Sequence, residues 1–141
     1  MRRLSLILPL LFLSCLLRAQ FSLTGSDPGK TRWSRMDTES FTIIYPSGED
    51  SLARVYGSWL EKAKVAVSWS SGMRIGEYYK SRTPVTLHSF FPVPNASVTW
   101  APKRMDIYTI PDPYSPTPES WERLLAIHEG RHVSQMQAGA M

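Results

Sequence analysis

A chain of 141 residues makes one ordinary domain or part of one. Its 16 basic and 12 acidic residues give a formal charge of +4, but Arg2, Arg3 and Arg18 lie in the first 19 residues, and removing them leaves about +1, so no nucleic-acid partner follows. Cys15 is the only cysteine, which excludes disulfides and a cysteine-ligated metal from the rest of the chain.

Residues 1–19 read as a secretory signal peptide. Arg2 and Arg3 form the basic start, Leu4 to Leu17 the apolar run, and Ala19 the small residue before cleavage. The run is short for a membrane span, so none is expected once the signal is removed. Lipoprotein processing at Cys15 is the competing route. Either way the protein is expected to be exported: periplasmic, cell-envelope or secreted.

Residues 20–141 read as one unit of α+β class. Phe21 to Arg35 has no period and reads as an extended entry, with Trp33 reaching the core. In Ser40 to Tyr45, Phe41, Ile43 and Tyr45 alternate, which predicts a strand. Ser47 and Asp50 resemble a capping pair. A helix is predicted over 49–70, with Leu52, Tyr56, Trp59, Ala63 and Ala66 or Val67 inward. Pro84 to Phe90 predicts a second strand. Its His88 faces away from Val85 and Leu87, as a metal or substrate contact or as a hydrogen-bonded structural residue. Ser97 to Ala101 and Met105 to Ile110 predict an antiparallel hairpin. Asn95-Ala96-Ser97 also matches a glycosylation sequon, a weak three-residue signal.

Four prolines between 111 and 118 lead into the last helix. Thr117 is its candidate N-cap, Pro118 its first position and Gly139 its stop. Trp121, Leu124, Leu125, His128, His132 and Met136 recur at helical steps, so the histidines continue an inward stripe.

This helix carries His128-Glu129-Gly130-Arg131-His132, an H-E-x-x-H motif. Residues four apart lie one above the other on a helix, so both imidazoles can reach one tetrahedral Zn²⁺. Glu129 sits beside the metal, where it can take a proton from the activated water as general base. Zn²⁺ is therefore the expected cofactor, His128 and His132 the metal ligands and Glu129 the catalytic residue. Arg131 either supports the site or is a solvated helix arginine.

The order of long helix, small sheet and H-E-x-x-H helix resembles the N-terminal part of a zincin metallopeptidase domain. Val98 to Arg104 and Leu125 to Gln135 are similar to exported Bacteroidetes-type proteins in which a peptidase-like domain precedes a β-propeller-like region. The resemblance implies a small mixed or antiparallel sheet packed on the two helices. It also implies an edge strand along the substrate. By position this is Ser97 to Ala101, with Val98, Thr99 and Trp100 as substrate-binding residues. Metzincins continue the motif to a Gly and a third His, where this chain has Gln135 and Ala138. The gluzincin-like class fits better, with its third ligand, a Glu, on a later helix. That places the third ligand beyond Met141 and makes residues 20–141 a piece of a longer domain.

Three functions compete. The first is an exported zinc metallopeptidase acting on a peptide or protein substrate. The second is a non-catalytic zincin-like binding module of a larger exported or cell-envelope protein. The third is a structural domain with a chance motif. Substrate and oligomeric state are not legible.

Overall fold

The computed structural model describes residues 27–72, 82–115 and 119–139. The signal peptide, Cys15, Thr117 and Pro118 lie outside them. The chain forms β1 (Trp33–Asp37), β2 (Phe41–Pro46), α1 (Asp50–Ser70), β3 (Thr83–His88), β4 (Ala96–Trp100), β5 (Lys103–Tyr108) and α2 (Trp121–Gly139). The class is α+β: a five-stranded mixed sheet with two helices. Strand order is β1-β2-β3-β5-β4. The β2–β3 and β3–β5 pairs are parallel, and the outer pairs β1–β2 and β4–β5 are antiparallel. Parallel neighbours need a crossover, and α1 supplies it between β2 and β3.

Period-two alternation builds the core. Phe41, Ile43, Val85, Leu87, Met105 and Ile107 turn one face of the sheet inward, each at most 1% exposed. Ala53, Tyr56, Leu60 and Ala63 of α1 and Leu125, Ala126 and Val133 of α2 cover that face. Burying such side chains gives about 1.5–3 kcal/mol each for the large ones, the main favourable term here. Gly57 sets how closely α1 approaches β2: a Cβ there would lie 3.0 Å from Ile43 Cδ1 and 3.2 Å from Met36 Cε. The helices pack side by side. A Cβ on Gly130 would lie 3.4 Å from Val67 Cγ2, and Arg123 sits 5.8 Å from the Trp59 ring. Among the described residues, no helix is long and apolar enough to cross a membrane.

Four expectations are corrected. Residues 33–37 are a strand, where an entry without period was expected. β1 has mostly exposed side chains, and the free edge of β2 specifies it through backbone hydrogen bonds. Trp33 is 41% exposed and sits edge-on to His88, outside the core. The Ser47–Asp50 capping pair does not form. Ser47 Oγ bonds Ser34 Oγ, Asp50 accepts from Tyr45 OH, and Glu49 precedes the helix without a side-chain cap bond. Lastly, α2 starts at Trp121, three residues later than expected. Ser120 precedes it, its hydroxyl accepting from the Arg123 N–H at 3.4 Å.

Candidate metal centre

The buried face of α2 is Leu125, Ala126, Glu129, Gly130, Val133 and Ser134. It is rotated from the stripe expected through Trp121, Leu124, His128, His132 and Met136. Those residues form the helix's flank, because α1 packs Val67 against the small Gly130. The rotation turns the imidazoles away from the core and into a cleft.

That cleft holds about 390 Å³ between α2 and β4. Pro94, Asn95, Ala96, Ser97 and Val98 form one wall, and Trp121, Leu124, Leu125 and Met136 the other. His128, Glu129 and His132 line it together. β4 ends the sheet, and among the described residues no strand pairs with its outer edge. Two devices hold the start of α2 in place. Trp121 Nε1 donates to the Tyr108 carbonyl at 3.1 Å, tying the helix to β5. Glu122 lies in the first turn, where the helix dipole favours a negative charge.

His128 Nε2 and His132 Nε2 stand 3.2 Å apart, with ring centroids at 4.9 Å and planes at 77°. A tetrahedral Zn²⁺ with bonds of about 2.0–2.1 Å holds two nitrogens about 3.3 Å apart. The observed separation is close to that distance. The same separation suits a hydrogen bond between neutral imidazoles, one of which carries the Nε2 proton. A metal would replace that proton. Both Nδ1 atoms would then be the protonated ones.

Glu129 is 3% exposed, and its Oε1 lies 4.0 Å from His128 Nε2. Burial raises its pKa, and the His128 and His132 charges offset only part of the rise. It accepts no hydrogen bond among the described residues, so its lone pairs are free for a proton from the cleft. Among the described residues, no three His, Cys, Asp or Glu side chains gather as a metal-holding group.

The remaining candidates separate. Val98 lines the cleft, while Thr99 and Trp100 do not. Trp100 is 43% exposed beside the hairpin turn, paired with Lys103. His88 lies on the opposite face of the sheet. Its Nδ1 bonds Asp27 Oδ2 at 2.6 Å, its Nε2 meets Asp106 Oδ1 at 3.4 Å, and its ring stacks on Tyr108. It contacts neither imidazole of the motif and has the hydrogen-bonded role. Arg131 is exposed, on the far flank of His128. The part of the cleft wall made by Pro94, Asn95 and Ala96 was not foreseen. Its signal is the loop before β4, but only the sheet order brings that loop to α2.

No family model, curated protein or solved structure matches this chain.

Proposed function

We propose that this chain is the N-terminal part of an exported, zincin-like metallopeptidase of gluzincin-like type, with a peptide or protein substrate. One observation carries the reading. Two imidazole nitrogens stand at the bite of one zinc ion, with a buried carboxylate beside them, in a cleft walled by an edge strand. Helix geometry alone brings the imidazoles together, but a chance motif does not require the buried carboxylate and the cleft beside them.

His128 and His132 would hold Zn²⁺, with a third protein ligand from outside the described residues. When bound, the ion supplies Lewis acidity toward a carbonyl oxygen and toward water. The chain's own residues supply the rest. The free edge of β4 offers backbone donors and acceptors to an extended peptide, as in strand addition. Val98 and Ser97 flank that track, and Trp121 and Leu124 face it across the cleft. The wall excludes bulk water from one side of the carboxylate. Glu129 takes a proton from the attacking water and returns it to the leaving amine. Its raised pKa moves it toward neutral pH, where a base can both accept and release.

The test uses the full natural chain. Zinc content is measured beside cleavage of a peptide library. Glu129→Gln keeps the metal and loses cleavage, because the glutamate is a base and not a ligand. His128→Ala loses both. A zinc-loaded protein that cleaves nothing is instead a binding module on the same scaffold. A metal-free one is a structural domain.

A further inference from the structure

The His88 ring sits between two carboxylates from different parts of the chain. Its Nδ1 is 2.6 Å from Asp27 Oδ2, and its Nε2 is 3.4 Å from Asp106 Oδ1. Asp27 precedes β1, while Asp106 lies inside β5. The ring and both acids are largely buried. Tyr108 stacks on the imidazole and Trp33 meets it edge-on. Arg104 donates its Nε–H to Asp106 Oδ2 at 2.9 Å. Among the described residues, Asp27 pairs with no cation other than His88.

This contact makes residues 27–32 a strap. Asp27 is fastened at β3 and Trp33 opens β1, with β2 between those two strands. The strap turns at Gly29 and Lys30, where the Thr31 N–H donates to the Pro28 carbonyl at 2.8 Å. Its far end is fixed to the sheet, because the Ser47 N–H donates to the Arg32 carbonyl at 2.8 Å. At the Asp27 end the anchor is the bond to His88.

A neutral imidazole carries one N–H and one lone pair. Two carboxylates require two donors, and only the imidazolium has them. When the ring loses its proton, one carboxylate must face a lone pair. Asp106 cannot leave, because β5 is paired on both sides and Arg104 holds its other oxygen. Asp27 can, because it precedes the first strand and a carboxylate without a cation is better hydrated than buried.

We propose that His88 is a proton-operated clasp: charged, it fastens residues 27–32 across the sheet, and neutral, it releases them. Burial disfavours the charge, but hydrogen bonds and charges from Asp106 and Asp27 raise the pKa of His88 above its ordinary value. The closed strap therefore holds the proton more tightly than the open one. Its stabilisation is fully present below about pH 6.5 and is lost as pH rises through the raised value. The clasp stands on the sheet face away from the metal cleft and does not depend on the peptidase reading.

The experiment follows amide exchange residue by residue in the full natural chain from pH 5.5 to 9, corrected for the intrinsic pH dependence of exchange. The His88 ring is titrated by NMR in parallel. Protection of the Thr31 amide is expected to fall about tenfold across the His88 titration, the equivalent of one unit in pKa, while amides within β3 and β5 keep theirs. His88→Leu has no donor and leaves Thr31 poorly protected at every pH. Asp106→Asn separates a clasp from a passive contact. The introduced amide donates to the Nε2 lone pair, so neutral His88 keeps its Nδ1–H on Asp27 and Thr31 stays protected at pH 9. Thr31 protection that ignores the His88 titration, that survives His88→Leu, or that stays pH-dependent in Asp106→Asn overturns the proposal.

Discussion

The indole of Trp121 donates its proton to the backbone carbonyl of Tyr108 at 3.1 Å. The bond joins the first residue of α2 to the last residue of β5. It therefore sets where the helix begins over the sheet. Seven residues later the same helix presents His128 to the cleft.

Trp121→Phe keeps most of the ring volume and removes the donor. A half-buried carbonyl then loses its partner, and stability falls by about 1 kcal/mol. Urea denaturation of the chain checks this. Unchanged stability would mean that water replaces the indole at no cost.

The imidazole pair predicts a metal response. Zn²⁺ raises the melting temperature of this chain, while Mg²⁺, which prefers oxygen ligands, does not. A chelator reverses the rise, and His128→Ala or His132→Ala abolishes it. Binding weakens as pH falls, because protons compete for the same nitrogens. Thermal melts with each ion, at pH 7.5 and 5.5, read all of these outcomes.

Glu129 makes a cost at the site visible. Its carboxylate is buried without a hydrogen-bond partner among the described residues, and its folded pKa is raised. The folded state therefore holds the proton more tightly than the unfolded chain. Stability from this group is gained as pH falls through the raised value and is absent above it. Glu129→Gln removes the charge and stabilises the metal-free chain at neutral pH by about 1 kcal/mol. The gain shrinks as pH falls, because the native carboxyl becomes protonated too. Denaturation curves of both proteins from pH 4 to 8 test the sign.

His88 gives a slope of the same sign, from a different cause. Burial disfavours its charge, but hydrogen bonds and charges from Asp106 and Asp27 outweigh burial and raise its pKa. Asp106 also receives the Arg104 Nε–H at 2.9 Å, so its carboxylate is held in place. The stabilisation is fully present below the unfolded value of about 6.5 and is lost as pH rises through the folded value. His88→Gln therefore destabilises by about 1 kcal/mol at pH 5.5 and by less at pH 9. An equal loss at both values would mean that only the neutral hydrogen bond matters.

Much was legible in local pattern. The alternation of Phe41, Ile43 and Tyr45 identifies β2, because one face of that strand is buried. The long stripe through Tyr56 and Ala63 identifies α1, and the turn after Trp100 identifies the hairpin. The four-residue step from His128 to His132 brings two nitrogens together by helix geometry alone, whatever the helix packs against. By itself, then, the sequence determined the mixed α+β class and the spacing of the imidazole pair. Tertiary structure alone decided the rest. β1 has no buried face to advertise it, so its existence depends on the free edge of β2. The β3–β5 pairing skips β4 in the chain, so no local signal joins His88 to Asp106. The rotation of α2 follows from Gly130 meeting Val67, a contact between residues far apart in sequence. That rotation turns the histidines from an inward stripe to a cleft wall. It buries Glu129 beside them and leaves Arg131 on the far flank of His128.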